Sequence, residues 1–210
     1  MTRHWRSGAT LAAVALFAAA CGSGSSSTPQ APSSAAASLA PIERWPLPED
    51  PMGLARKAGL EPLRIESLQF HVHAHLDVFE DGRPIVIPAG IGIDITDPGV
   101  KRFEDPVGYG GIQQPCADPC ISPLHTHDSN GVIHTESPTP TPNTLGQFLI
   151  EWEVVLPDDA KVYIDGEEFS GDVASIELGR PARDRDRDRR AAEPDPLEVP
   201  AGGRIALAVG

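Results

Sequence analysis

The sequence predicts a mainly β fold, either a small β-sandwich or a partly open barrel, with one or two short helices. Several short segments alternate apolar and polar residues, as half-buried strands do. Asp-Gly pairs at residues 81–82 and 165–166 adjoin such segments, and this dipeptide favours the tight turns of β-hairpins. Only two short segments have the features of helices. We therefore expect short strands joined by turns.

The first elements follow a proline-broken stretch at residues 41–51, which we expect to be extended. Residues 52–60 can form two helical turns that end before Pro62. A strand follows in which apolar side chains alternate with three histidines and an aspartate. Residues 84–87 predict the returning strand of a hairpin, and residues 91–95 predict a third strand. The apolar face of the first strand carries Phe70, Val72, Ala74, Leu76 and Val78, and the polar face carries His71, His73, His75 and Asp77.

The later elements are strands and one more helix. Residues 97–123 are rich in glycine, proline and aspartate, and we expect them to be irregular. Residues 124–137 predict a second hairpin with an Asn-Gly turn, and residues 161–169 predict another with an Asp-Gly turn. Residues 144–152 predict a short helix that begins with capping-box spacing. Residues 204–209 predict a closing strand.

The N-terminus has the organisation of a bacterial export signal. Arg3 and Arg6 form a short basic region, an apolar run follows, and Cys21 comes where that run ends. The run of about ten residues is too short to span the roughly 30 Å hydrocarbon core of a bilayer. Residues 18–21, AAAC, resemble the lipobox of bacterial lipoproteins. We predict that a signal peptide at residues 1–20 is removed and that lipid on Cys21 holds the protein on the extracytoplasmic face of the cell membrane. An ordinary secretory signal followed by a chance cysteine is the alternative.

The rest of the chain divides into a tether and one domain. Residues 21–50 are rich in serine, alanine, proline and glycine, which predicts a flexible, lipid-anchored tether. Residues 51–210 predict a single β-rich domain, in which alternating arginine and aspartate at residues 181–196 indicate a solvated loop. The formal net charge of −13 falls to −15 once the two arginines of the signal peptide are removed. Because no basic cluster offsets this negative charge, we exclude nucleic acid as a partner.

Two cysteines remain when Cys21 is assigned to lipid. Exported proteins meet oxidising conditions, so an even pair at Cys116 and Cys120 predicts a disulfide that closes a small loop. A thiolate pair that binds a soft metal ion is the alternative.

The histidines carry the chemistry that the sequence indicates. One of the seven belongs to the predicted signal peptide, and the other six fall in two clusters on predicted strands. Imidazole is the commonest metal-ligating side chain and suits zinc and copper. The sequence therefore predicts a site for a copper or zinc ion. The candidate ligands are His71, His73, His75, His125, His127 and His134, with Asp128 and Glu136 as the neighbouring carboxylates.

The second cluster lies on the predicted hairpin at residues 124–137. A turn centred on its Asn-Gly pair places His127 opposite His134, whereas a turn one residue earlier places His125 opposite His134. In both registers these histidines and Glu136 share one face, because a loop of even length preserves the alternation of side chains. Directly opposed β-carbons lie about 4.5–5.5 Å apart, so two imidazoles there can share an ion.

The first cluster lies on a single strand. His71 and His75 are four residues apart, roughly 13 Å at about 3.3 Å per residue, so three histidines there cannot converge on one ion. We expect two of His71, His73 and His75 to join the ligands of the hairpin. The third lines the site or binds a second ion with Asp128 or Glu136.

These residues resemble an uncharacterised family of exported bacterial and archaeal proteins. The likeness runs through HVHAHLDVFEDGRPIVIPAGIGI, LHTHDSNGVIHTESP and TLGQFLIEW, and it covers most of residues 54–152. The resemblance implies that HxHxHLD and LHTHD…IH form one linked site. It implies neither a particular metal nor a reaction.

The sequence supports three kinds of function. The first is a lipid-anchored protein that binds copper or zinc for sequestration, sensing or delivery. The second is a metalloenzyme with an open zinc or copper site, in which Glu136 or Asp128 is the general base. The third is a surface interaction module without a metal. The partners indicated are a metal ion and the membrane, and the sequence does not indicate a protein partner.

Overall fold

The computed structural model describes residue 41 and residues 45–179 and 203–209 of the 210-residue chain. The predicted signal peptide, Cys21, most of the predicted tether and the charged loop at residues 181–196 lie outside these residues. The described residues form two α-helices, a short 3-10 helix and nine strands. The helices are α1 (Pro51–Lys57), α2 (Leu145–Glu151) and the 3-10 helix Val173–Ser175; the strands are β1 (Phe70–Glu80), β2 (Arg83–Ile85), β3 (Lys101–Glu104), β4 (Val107–Gly110), β5 (Leu124–His125), β6 (Val132–Ser137), β7 (Lys161–Ile164), β8 (Glu167–Phe169) and β9 (Arg204–Val209).

Seven of these strands form one mixed sheet. Its order is β5-β6-β1-β9-β7-β8, and β2 also pairs with β1. The pairing of β1 with β9 is parallel, and the other pairings are antiparallel. Strands β3 and β4 form a separate two-stranded hairpin. Over the described residues the sheets are open and are accompanied by two short α-helices, so the predicted mainly β fold is confirmed.

Strand β1 separates the core from the histidine-lined face. Most of its apolar side chains are buried on one face, where Ala74, Leu76 and Val78 share a hydrophobic cluster with Phe148 of α2 and the neighbouring Trp152. Its histidines point to the other face and are half-buried. The period-2 pattern of the sequence thus produces a core on one side of the sheet and a polar surface on the other. The buried residues of β1 are Val72, Ala74, Leu76 and Val78.

The two Asp-Gly turns and the helix cap that the sequence predicts are confirmed, whereas β5 and β6 pair in the register centred one residue before the Asn-Gly pair. Asp81 and Asp165 have φ angles of 49° and 51°, and the glycine that follows each also has a positive φ. Two successive left-handed residues are what a tight hairpin turn requires. At the start of α2, the Thr144 hydroxyl accepts from the backbone N–H of Gln147, and the Gln147 side chain accepts from the backbone N–H of Thr144.

Two local predictions are wrong. Residues 91–95 are not a regular strand, because Gly90 and Gly92 adopt φ angles of 92° and 71° and turn the chain between the buried isoleucines. Residues 97–123 are not wholly irregular, since they contain the β3–β4 hairpin. All four residues of β3 are exposed, so alternation of buried side chains does not mark this strand in the sequence.

The packed region begins before residue 51, where the predicted tether was expected to end. The ring of Trp45 meets that of Trp152 edge to face, with centroids 5.5 Å apart. The Trp152 indole N–H donates to the Trp45 carbonyl oxygen, and Leu47 also packs against the core. Residues 45–50 therefore contribute to the stability of the domain.

The predicted disulfide is confirmed. Cys116 and Cys120 are joined to each other, and both are buried in a second hydrophobic cluster with Ile93, Ile112 and Ile121. The alternative of a free thiolate pair as metal ligands is wrong for this oxidised form, because a disulfide sulfur carries no thiolate charge.

Candidate metal centre

Three neighbouring strands bring both histidine clusters onto one face of the sheet. Strand β6 lies between β5 and β1, with His125 and His73 both opposite His134. One row further along, His71 lies opposite Glu136. Residues directly opposite each other project to the same side of a sheet, with β-carbons about 4.5–5.5 Å apart. The hairpin therefore uses the register that pairs His125 with His134, one of the two that the sequence allows.

One group of four side chains can hold a metal ion. It consists of His125, His127, His134 and Glu136, each of which offers one ligand atom within 4.8 Å of the others. The Nε2 atoms of His125 and His127 are 3.2 Å apart. The Oε1 atom of Glu136 lies 3.4 Å from His134 Nδ1 and 3.8 Å from the Nε2 of each of the other two histidines.

A second group overlaps the first. It consists of His71, His73 and His134, whose ligand atoms also lie within 4.8 Å of one another. His71 Nε2 is 2.7 Å from His73 Nε2 and 3.3 Å from His134 Nδ1. Two histidines of β1 thus meet those of the hairpin, as the sequence predicted, and the two clusters form one site.

Backbone carbonyls orient two of the rings. His125 donates from Nδ1–H to the Ser122 carbonyl oxygen at 2.9 Å, and His127 donates in the same way to that of Tyr109 at 2.7 Å. A carbonyl can only accept, so each Nδ1 carries the hydrogen, and in its neutral form each ring directs the lone pair of its Nε2 inwards. A hydrogen bond of this kind fixes the tautomer of metal-ligating histidines and increases their basicity.

The resulting geometry places two hydrogen-bond acceptors against each other. Without an added proton or cation, His125 Nε2 and His127 Nε2 are both acceptors, yet they face each other at 3.2 Å. Two lone pairs at this distance repel each other. A cation between them turns the repulsion into coordination, since zinc binds imidazole nitrogen at about 2.0–2.1 Å.

Burial keeps most of this cluster ready to bind a cation. Desolvation and the neighbouring His127 lower the pKa of His125 from 6.5 to about 3. Desolvation and the neighbouring His134 and His71 lower the pKa of His73 from 6.5 to about 4. Both rings are therefore neutral at pH 7, the state in which imidazole binds metals.

The other two shifts come from a charged pair. Burial by itself lowers the pKa of His127, but the neighbouring Glu136 carboxylate and the Tyr109 carbonyl outweigh it, and the net pKa is raised. Burial by itself raises the pKa of Glu136, but the neighbouring rings of His127 and His134 outweigh it and bring that pKa far below its usual range. Glu136 is therefore an ionised carboxylate at neutral pH, although its side chain is only 3 % exposed.

The structure separates two predicted ligands from the cluster. His75 lies opposite Val132, and its Nδ1 is 3.5 Å from the Asp77 carboxylate. The Asp128 carboxylate accepts from the backbone N–H of Asn130 within the turn. Neither His75 nor Asp128 falls in a group that can hold an ion among the described residues, so the structure does not support a ligand role for either.

Other parts of the site gave weak signals or none in the sequence. Every residue type has a backbone carbonyl, so the acceptors at Ser122 and Tyr109 have no sequence signature. Gly110 does leave a trace in the GYGG segment. Its φ is +144°, and a β-carbon there would lie 2.6 Å from Nδ1 of His127, so only glycine fits beside that ring.

Comparisons add no relative from which a role can be inferred. Within the described residues, no helix is long and apolar enough to cross a membrane. The chain matches none of the protein-family models, curated proteins or solved structures with which it was compared.

Proposed function

We propose that this protein is an exported, lipid-anchored protein that binds copper or zinc for sequestration, sensing or delivery outside the cell membrane. The observation that carries the metal assignment is the 3.2 Å approach of two Nε2 atoms whose Nδ1 hydrogens are both directed to carbonyls, on His125 and His127. His134 and the ionised Glu136 complete a set of three nitrogens and one oxygen.

The donor set favours a borderline divalent ion. Three imidazoles and a carboxylate suit Zn²⁺ and Cu²⁺, whereas Cu⁺ prefers the soft sulfur ligands that cysteine and methionine provide. Both cysteines of the described residues are joined in the disulfide. Four protein ligands also match the tetrahedral coordination that zinc adopts.

Partial exposure supports exchange of the ion with the surroundings. The side chains of His71, His127 and His134 are 33 %, 25 % and 16 % exposed, while His125 and Glu136 are almost fully buried. An ion in this cluster is held by the buried side chains of His125 and Glu136 and is accessible to solvent on the side of the partly exposed histidines. This arrangement fits acquisition and release better than a purely structural role.

The proposed location rests on the N-terminal sequence. A basic start, an apolar run and Cys21 at its end support removal of the signal peptide and lipid attachment. In bacterial cells, the wild-type chain should incorporate labelled fatty acid and Cys21→Ala should not. Absence of label from the wild type would contradict the anchor and leave the metal assignment untouched.

Metal-dependent stability tests the main proposal. The full chain, purified without a histidine tag and stripped of metal, should melt at a higher temperature with Zn²⁺ or Cu²⁺. Saturation at about 100 times Kd stabilises a folded protein by about 2.7 kcal/mol, which is about 5–10 °C for a domain of this size. His127→Ala should abolish most of this shift, and His75→Ala is the matched control that should retain it. Less than about half an equivalent of bound metal per chain after reconstitution would contradict the proposal.

A metalloenzyme is the second candidate, and one observation favours it. Glu136 Oε1 lies 3.4–3.8 Å from the nitrogens of the other three members of its group. If it remains off the ion, three histidines leave an open position, and the carboxylate can act as a general base on a metal-bound water. Azide should then alter the visible spectrum of the Co²⁺-loaded protein. An unchanged spectrum would indicate a closed, four-coordinate ion and argue against catalysis.

A further inference from the structure

One part of the histidine cluster remains after the first group is assigned to an ion. His71 and His73 come from β1, and they belong to the second group rather than the first. We propose that the centre holds two divalent ions, and that Glu136 is the ligand shared between them. This inference rests on the proposed metal-binding function and gives that function a stoichiometry.

A single ion cannot use all the donors. Donor atoms bound at about 2.1 Å from an ion lie at most about 4.2 Å from one another. The five histidines and Glu136 do not form one group even within 4.8 Å; they separate into two groups that have His134 in common, and Glu136 belongs to the first. His71 and His73 are therefore outside the coordination sphere of an ion bound to His125 and His127.

The second group has unmatched acceptors of its own. His71 Nε2 lies 2.7 Å from His73 Nε2, 3.1 Å from Glu136 Oε1 and 3.3 Å from His134 Nδ1. A single N–H on His71 can satisfy only one of these neighbours well. A cation placed among them interacts favourably with all of the lone pairs at once.

Glu136 is a member of the first group, but its carboxylate also lies beside His71 of the second, which is the place for a bridging ligand. Its Oε1 is 3.1 Å from His71 on one side and 3.8 Å from both His125 and His127 on the other. Its Oε2 is buried and has no hydrogen-bond partner among the described residues. A buried carboxylate oxygen without a partner is costly unless something binds it. Paired metal sites place their ions about 3.5–4 Å apart, a distance that the two oxygens of a carboxylate can bridge.

The charge around the centre suits divalent cations. Glu136 brings a carboxylate into the cluster, with its Oε1 within 3.1–3.8 Å of ring nitrogens of four histidines. The net charge of the whole chain, −13, also concentrates cations near its surface.

Metal counting tests the second ion. The full chain without a histidine tag is loaded with Zn²⁺, dialysed and measured for zinc per chain, with circular dichroism as the check on folding. We expect two ions per wild-type chain and one in the double variant His71→Ala/His73→Ala. His75→Ala is the matched control, since it lies on the same strand and face but outside both groups, and it should keep two ions.

The outcomes separate this inference from the proposed function. One ion per wild-type chain would overturn the paired centre and leave the metal-binding function standing. Two ions in both the wild type and the double variant would place the second ion elsewhere and also overturn it. Binding of no ion would overturn the inference and the function together.

A spectroscopic measurement on the wild type keeps the test decisive even if the double variant fails to fold. Two Cu²⁺ ions about 3.5–4 Å apart couple their spins, so the fully loaded protein should show a weakened or half-field electron paramagnetic resonance signal. A full-intensity signal of isolated Cu²⁺ at saturation would contradict the shared carboxylate.

Discussion

Lowering the pH should destabilise the metal-free protein through His125. This ring is fully buried, and desolvation together with its neighbour His127 lowers its pKa from 6.5 to about 3. Between these two values the unfolded chain binds a proton that the folded protein does not. Stability is therefore complete above about pH 6.5 and is lost progressively as the pH falls towards 3.

The size of the effect follows from the two pKa values. At pH 5 the imidazole is almost fully protonated in the unfolded chain and almost fully neutral in the folded protein. The free energy of unfolding is then lower by about 2 kcal/mol than at pH 7.5, and the full loss at low pH is about 5 kcal/mol. For a domain of this size, 2 kcal/mol corresponds to a melting temperature about 4–8 °C lower. The lowered pKa of His73 acts in the same direction, and the raised pKa of His127 acts against it.

A comparison of two variants isolates the contribution of His125. Melting temperatures are measured at pH 7.5 and pH 5 in the presence of a chelator for the wild type, His125→Gln and His75→Gln. The decrease between the two pH values should be clearly smaller in His125→Gln, because its amide does not titrate in this range. His75→Gln should behave as the wild type. An equal decrease in His125→Gln and the wild type would refute the assignment of a neutral, buried imidazole at this position.

Two further changes have directions that the structure sets. Glu151 is fully buried, and neither of its carboxyl oxygens has a hydrogen-bond partner among the described residues. Burial raises the pKa of this carboxyl well above its usual range, and the Ser122 hydroxyl offsets the rise only in part. A carboxyl with a raised pKa reduces stability as the pH rises above the pKa that it has in the unfolded chain. Glu151→Gln should therefore melt several degrees higher than the wild type at pH 8 and at almost the same temperature at pH 4. An equal melting temperature at pH 8 would contradict this. Gly110→Ala should displace the ring of His127 and weaken Zn²⁺ binding by about 10- to 100-fold in calorimetric titrations. Gly166→Ala is the control, since the φ of Gly166 is also positive but a β-carbon there contacts nothing. If the two variants bind Zn²⁺ with equal affinity, contact between the β-carbon and the ring of His127 is not the cause of any loss.

The face on which the ligands lie could be predicted because it depends only on local alternation. Residues two apart on a strand share a face, so His71 and His73 had to project together, and so did His134 and Glu136. An even loop length preserves this relation across the hairpin whichever register is used. Alternation alone therefore predicts which ligands share a face of each strand, without knowledge of how the strands pair.

The register and the neighbours of each strand could not be predicted in this way. Two registers of the hairpin were equally compatible with the alternation, and the observed turn depends on side-chain contacts: Asp128 accepts from the N–H of Asn130, and Asn130 accepts from that of Val132. The pairing of β1 with β6 joins segments that are about sixty residues apart, and alternation alone does not state which strand a given strand will meet. His75 shows the consequence, since its place in the pattern equals that of His73 but its partner across the sheet is Val132.

The two halves of the centre differ in how the fold supports them. His125 belongs to β5, an edge strand of only two residues, and His127 lies beyond its end, where Tyr109 of the β3–β4 hairpin holds its ring. His71 and His73 instead belong to β1, an eleven-residue strand inside the sheet. An ion in the first group therefore joins a weakly paired edge to β6, whereas an ion in the second group joins strands that already share six residue pairs. Part of the binding energy offsets the entropy lost when a segment becomes ordered. The ion in the first group should therefore stabilise the edge of the sheet most, so metal should protect the β5 amides from hydrogen exchange in the wild type and in His71→Ala/His73→Ala, but not in His127→Ala.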